Sequence, residues 1–240
     1  MTYQDHSVVQ STVITVQQRW GSEVLHTFGP LFQKPVPYLA TGFARLDLAL
    51  GIGGFPRGHL TEFSGMATSG MGTLALKAIA QAHANSELAA YLDLPNTFDA
   101  DYAIRCGVEP SDLLVVRPSS PVEAIDMAST LVSTGGASVI VADLSCAGRL
   151  TADTDSALRR LSRLLVRSGC VFIILSSSDL LGNHQAALRL QIKRERWLYR
   201  NSDVSGYRAQ ITILKNKFAP VCKPASIVIG FSSSVHGDGA

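Results

Sequence analysis

Between Leu60 and Ser176, short runs, most of them strongly apolar, alternate with longer stretches in which apolar residues recur every three or four positions. The short runs are Leu60–Ser64, Ala89–Leu94, Leu113–Arg117, Ser138–Asp143 and Cys170–Ser176. A run with no polar face has to be buried on both sides, so these read as strands of a parallel sheet rather than of a half-wetted antiparallel one. The intervening stretches read as helices that cover the two faces. Leu74–Ala84 is rich in alanine, the best helix former. Pro121–Ser133 opens on a proline and carries Glu123 and Asp126 near its start, where the helix dipole favours negative charge. Thr154–Ser168 spaces Leu158, Leu161, Leu164 and Leu165 along one face, and Ala100–Cys106 is a shorter helix.

The flanks differ from this middle. Arg194–Arg200, Tyr207–Lys215 and Ala225–Phe231 read as successive strands, with Asn201–Gly206 as a turn between the first two. The fold class is therefore α/β: a mostly parallel sheet, helices on both faces and an antiparallel C-terminal extension. Residues 1–37 hold a helix around Val13–Trp20 and a proline-punctuated stretch from Pro30 to Pro37. They read as an N-terminal arm, followed by a core at 38–231 and a frayed tail at 232–240.

Composition narrows the class. Apolar residues are 46% of the 240, enough to build a core and to exclude disorder as the dominant state. No run of about 18 apolar residues is present for a membrane span, and the N-terminus lacks a signal-peptide pattern. The four cysteines (106, 146, 170 and 222) lie far apart and without zinc spacing, so buried thiols in a reducing cytoplasm are expected. The net charge is +2, but residues 189–240 carry nine Lys and Arg against three Asp and Glu. Such asymmetry fits a polyanionic partner or, equally, a charged sheet edge that deters aggregation.

Gly65-Met-Ala-Thr-Ser69-Gly70-Met71-Gly72-Thr73 stands between a strand and a helix, the place of a phosphate-binding loop. A Walker A loop reads GxxxxGK(S/T): backbone N–H groups hold the phosphates, the lysine neutralises them and the hydroxyl holds Mg²⁺. Here both glycines keep their spacing, but Met71 takes the lysine position and Gly72 the hydroxyl position. Three readings stand. The loop binds nucleotide weakly through backbone and dipole; Lys77 or a neighbouring chain's lysine substitutes; or the loop is a relic. A helix dipole contributes about 0.3–1 kcal/mol, up to about 2, which holds a Mg-nucleotide poorly. Relic and weak binding are therefore favoured over a competent ATPase.

The segment Thr41-Gly-Phe-Ala-Arg-Leu-Asp47-Leu-Ala-Leu-Gly51-Ile-Gly-Gly54-Phe-Pro-Arg-Gly58 resembles the RecA recombinases, which read close to STGSLSLDxALGxGGLPxG before their phosphate loop. The resemblance extends to Gln18-Arg-Trp-Gly21, Phe28-Gly29, Tyr91-Leu-Asp93, Phe98 to Val108, Val139–Asp143 and Lys215-Asn-Lys217-Phe-Ala-Pro, and so covers most of residues 15–231. It implies a RecA-like P-loop core and an arm that packs on an adjacent subunit, hence a homo-oligomer. It implies that Asp143 is the Walker B aspartate, that Asp99 and Tyr102 contact adenine, and that Lys215 and Lys217 reach nucleotide across a subunit interface. On this reading Gly65, Ser69, Gly70, Met71, Gly72 and Thr73 line a site that holds ATP or ADP with Mg²⁺ weakly if at all. An ordinary amphipathic helix accounts equally well for Asp99 and Tyr102, and a basic strand edge is the alternative for the two lysines.

The departures weigh more. Pro95 stands where the family has its catalytic glutamate, and Ser176 or Ser177 where it has the γ-phosphate-sensing glutamine. Lysine, metal ligand, base and sensor are all replaced, so ATP hydrolysis is not expected. The two loops that face DNA in the family are short here, after Asp143 and over Ser177–Gln185, and the family's C-terminal domain has no counterpart. Arg159, Arg160, Arg163 and Arg167 form a helical basic stripe, either a DNA phosphate contact or a solvated face; Arg194 and Arg196 add to the DNA-facing candidates. Phe55 to Glu62, Leu113 to Pro118 and Leu158-Arg-Arg-Leu161 resemble the ImuA-type accessory proteins, short RecA relatives tied to damage tolerance, the SOS response and a translesion polymerase. That resemblance implies an accessory protein docking on RecA, a polymerase assembly or single-stranded DNA. A DNA-dependent ATPase active only in an assembly, and a nucleotide sensor, are the alternatives.

Overall fold

The computed structural model describes residues 6–21, 35–148, 150–177, 181, 185–221 and 223–231. Phe28, Gly29, Pro30, Cys222, most of Ser177–Gln185 and the tail from Ser232 lie outside them. The chain divides into two units, Met1–Val36 and Pro37–Ala240. In the first, α1 runs over His6–Trp20, longer at its start than the sequence suggests. Ile14 and Trp20 are exposed on it.

The second unit opens with β1 (Tyr38–Leu39), α2 (Ala44–Leu50) and β2 (Phe55–Pro56); β1 and β2 form a small antiparallel pair. The alternation follows as β3 (Leu60–Ser64), α3 (Met71–Ala84), β4 (Ala89–Asp93), α4 (Ala100–Arg105), β5 (Leu113–Val116), α5 (Pro121–Thr134), β6 (Val139–Asp143), α6 (Ala152–Ser168) and β7 (Val171–Ser176). Three long strands close it: β8 (Leu188–Arg200), β9 (Asp203–Asn216) and β10 (Ala225–Gly230). They join one eight-stranded sheet in the order β10-β9-β8-β3-β7-β6-β4-β5. From β8 to β5 all neighbours are parallel; β8–β9 and β9–β10 are antiparallel.

Helix ends follow local chemistry. Ser120, Thr151 and Asp99 cap α5, α6 and α4 by accepting a backbone N–H with their side-chain oxygens. Gly135 and Gly169 close α5 and α6 in the left-handed conformation. One core layer packs α2 and α3 on the sheet, around Phe43, Phe63 and Ile79. The other packs α5 and α6 on the opposite face, around Ile125, Leu161 and Phe172.

Two expectations need correction. β5 is the sheet edge, and Leu114 and Val115 are exposed, because a strand with one neighbour and little helical cover is only partly buried. β8 begins at Leu188, not Arg194: Leu188–Gln191 pairs in parallel with β3 before the strand runs on into the hairpin.

Candidate functional site

The parallel strands end together. Ser64 pairs with Ser176, Asp93 with Asp143, and Asp143 with Leu175, so β3, β7, β6 and β4 present their C-terminal ends in one row. In open α/β sheets ligands bind outside those ends. The glycine loop leaves β3 there. A Cβ at Gly65 would lie 2.6 Å from the Ile192 carbonyl oxygen and 2.7 Å from Ser69 Oγ, so only glycine fits. Gly70 takes φ +106° at the start of α3, with Tyr207 Oη 2.9 Å from the position of a Cβ. Thr68 is held at φ 63°, and Arg194 on β8 clasps it, one guanidinium nitrogen donating to the Thr68 carbonyl at 3.1 Å and to its Oγ1 at 3.0 Å.

A cavity of about 480 Å³ opens beside this loop. Thr68, Gly70, Met71, Gly72 and Thr73 line one side; Tyr91, Asp143 and Leu175 come from the strand ends; Phe98, Asp99 and Tyr102 come from the start of α4 and the turn before it. Arg194, Trp197, Tyr207 and Phe231, from the C-terminal strands and the residue after them, also line it. Trp197 and Tyr207 meet edge to face at 5.7 Å between ring centroids, and Tyr207 and Phe231 also lie 5.7 Å apart. The Arg194 guanidinium lies 4.2 Å above the Trp197 ring, a cation–π contact.

Hydroxyl groups tie the cavity together. Thr73 Oγ1 is 2.7 Å from Tyr102 Oη and 3.3 Å from Tyr207 Oη. Tyr91 Oη donates to Asp143 Oδ2 at 3.0 Å, and the Ser145 N–H donates to Oδ1 at 3.0 Å. Burial pushes the Tyr102 phenol up to about 12, and burial together with the Asp143 charge raises Tyr91 further. A tyrosine phenol is protonated at neutral pH even without these shifts, so both hydroxyls can donate.

The predicted residues fall into three places. Gly70, Met71, Gly72, Thr73, Asp99, Tyr102 and Asp143 meet at the cavity, Asp99 using one oxygen to accept the Tyr102 N–H. Gly65 and Ser69 form the back of the loop; Ser69 is buried, and its Oγ has no hydrogen-bond partner among the described residues. Lys215 and Lys217 lie elsewhere. Lys215 pairs in register with Arg189, and the Lys217 N–H donates to Ala187, whose own N–H donates to Leu60. They flank the entry of β3, while the loop follows its exit. Burial and the neighbouring charges of Lys217 and Arg189 lower the Lys215 pKa. Lys77 does not line the cavity. Burial lowers its pKa, partly offset by Cys106.

Arg159, Arg160 and Arg163 are exposed on α6, and Arg196 is exposed on β8. Arg194, grouped with Arg196 from sequence, instead stands at the glycine loop, because a bulge between Arg194 and Arg196 breaks the strand's alternation. Sequence reasoning missed Arg194, Trp197, Tyr207 and Phe231 as cavity residues. The one available signal was an aromatic and a cation close together on a strand whose partner also carries an aromatic.

Met71 brings no charge to the glycine loop and Gly72 no side-chain oxygen, while Thr73 and Asp143 supply oxygens at the cavity. Among the described residues no group of three or more His, Cys, Asp or Glu is placed to hold a metal ion.

The model of the RecA N-terminal domain matches residues 7–160. This chain belongs to the RecA family. Its whole length resembles the RecA protein of Geobacter sulfurreducens, 29% identical over 272 aligned positions that cover 100% of this chain and 80% of that protein. The RecA protein of Nocardia farcinica is 28% identical over 99% of this chain and 78% of its own length. That of Desulfotalea psychrophila is 29% identical over 96% and 74%. The α/β architecture, with a mostly parallel sheet and antiparallel closing strands, is thus a RecA-family core whose glycine loop carries methionine and glycine at two of its chemical positions.

Proposed function

We propose that this chain is an accessory member of the RecA family that acts in DNA recombination and repair without hydrolysing ATP. Family membership supports the recombination and repair role. The observation that carries the non-hydrolytic part is joint replacement: Met71, Gly72, Pro95 and either Ser176 or Ser177 stand at the four positions that, by the resemblance, would otherwise supply cation, metal ligand, base and sensor. Ser176 is moreover fully buried and donates to Glu62 and to the Phe63 carbonyl, which ties it into the sheet. The protein then works through contacts: with RecA or a translesion polymerase assembly, with single-stranded DNA through the exposed arginines of α6, and with further copies of itself through the arm at residues 1–37. No described helix is long and apolar enough to cross a membrane.

A second reading has its own support. The intact cavity beside the loop, lined by Asp99, Tyr102 and Asp143, favours a ligand-binding sensor over an inert relic. Titration with Mg-ATP, alone and with single-stranded DNA, tests both when heat of binding and phosphate release are recorded together. No phosphate release in either condition is expected. Release stimulated by DNA would overturn the non-hydrolytic proposal.

A further inference from the structure

We propose that the face of β8, β9 and β10 turned away from α2 docks an extended, carboxylate-rich segment of a partner protein. The proposal goes beyond the non-hydrolytic reading and stands whether or not the chain turns over ATP.

Strand register sets the face. Ile192, Ile211 and Ala225 pair in one row, and Tyr207 and Ile229 in another, all within the core layer of α2 and α3. Residues between these rows point to the other side of the sheet. There Lys193 pairs with Gln210, and Arg196 with Arg208, which pairs in turn with Val228. The core layer beneath α5 and α6 takes in no residue of these three strands.

The charge on this face is unanswered. Arg196 stands directly opposite Arg208, and Lys193 lies in the neighbouring row. Like charges opposite one another weaken a sheet, so the juxtaposition does not serve the fold. Lys193, Arg196 and Arg208 make no ion pair among the described residues, nor does Glu195, the extra residue of the bulge beside them. Arg208 is half-buried, and its Nε is shut off from solvent without a hydrogen-bond partner among those residues. A donor left in that state costs stability that an acceptor from outside would restore. A carboxylate between the two guanidiniums accepts from both, the pairing that arginine's fork of donors favours.

Two observations favour a peptide over a nucleic acid. Trp197 and Tyr207 pair on the opposite face, so these rows hold no ring on which a base could stack. What adjoins the arginines is aliphatic, namely Leu198 and Val228, both half-buried. Gln210 supplies an amide that can bond to a peptide backbone.

A fluorescein-labelled peptide of alternating Glu and Val, its Gln-for-Glu counterpart and labelled oligothymidine are titrated onto the full chain by fluorescence anisotropy. The Glu peptide is expected to bind with a Kd on the order of 10 μM, and its Gln counterpart about tenfold or more weakly. Arg196→Glu sets a carboxylate opposite Arg208. It should weaken the Glu peptide by about tenfold or more and raise Tm, because a cross-strand ion pair replaces a repulsion. Arg45→Glu, the same charge change on exposed Arg45 of α2, should leave the peptide affinity unmoved. Failure of the Glu peptide to bind overturns the proposal, as does equal binding of the Gln peptide. So does a peptide affinity that Arg196→Glu leaves unmoved or that Arg45→Glu lowers equally, and so does a Tm that Arg196→Glu lowers. Oligothymidine binding that Arg196→Glu weakens as much as peptide binding makes the face a nucleic-acid site and overturns it too. None of these outcomes reads phosphate release, which decides the non-hydrolytic proposal.

Discussion

Glu62 stands 1% exposed in the middle of β3 and accepts from three directions: Arg189 Nε at 2.7 Å, Ser176 Oγ at 3.2 Å and the Leu181 N–H at 3.1 Å. A buried pair of this kind costs more when broken than it contributes when intact, because the remaining charge is stranded in the sheet. Arg189→Met is therefore expected to destabilise the fold by about 3–5 kcal/mol in urea unfolding, and Glu62→Leu added to it to recover most of that loss. Nothing in the sequence marked the pair. A glutamate inside an apolar run and an arginine 127 positions later have no periodic relation, and only the parallel pairing of β3 with β8 brings them together. The loop positions were legible for the opposite reason: glycine spacing is local, and Gly65 and Gly70 stand where packing and a positive φ demand glycine. Arg194 reaches the glycine loop through Thr68, 126 positions away, a pairing that no local sequence pattern shows.

The parallel core was readable almost element by element, since strands buried on both faces are mostly apolar; β3, with Thr61, Glu62 and Ser64 buried, is the exception. The β8–β9 hairpin was readable only in outline. Its turn is the pair Asn201–Ser202, at φ 49° and 72°, the left-handed pair that a two-residue hairpin turn uses. The polar stretch to Gly206 that looked like loop is strand, partly exposed because it projects at the end of the sheet. Gly206 pairs with Gly230, and a Cβ there would overlap the Ile229 carbonyl oxygen and lie 2.9 Å from Gly230 Cα. Gly206→Ala should thus cost about 1–3 kcal/mol, seen as a lowered Tm. Because Tyr207 and Phe231 adjoin this contact, the same change should also shift the near-ultraviolet circular dichroism of the aromatic group beside the cavity.

Across the molecule, positive charge is concentrated late in the chain and along α6, which packs on the far face of the sheet from α3. Arg160 meets Asp126 at 3.6 Å with both side chains more than half exposed, so the pair adds little stability. Arg159→Ala, Arg160→Ala and Arg163→Ala together should leave the fold intact. They should reduce the slope of log K against log salt for single-stranded DNA by about 2, measured by fluorescence anisotropy; an unchanged slope would show α6 to be a solvated face. The order of the sheet carries one more consequence. β3 lies between β7 and β8, two strands made more than a hundred residues after it. While the ribosome is still delivering the middle of the chain, β3 and its glycine loop have emerged with neither neighbour to pair with. During that interval the central strand of the finished protein is the one most open to misplaced pairing, and chaperone demand should fall once residues 188–191 are out.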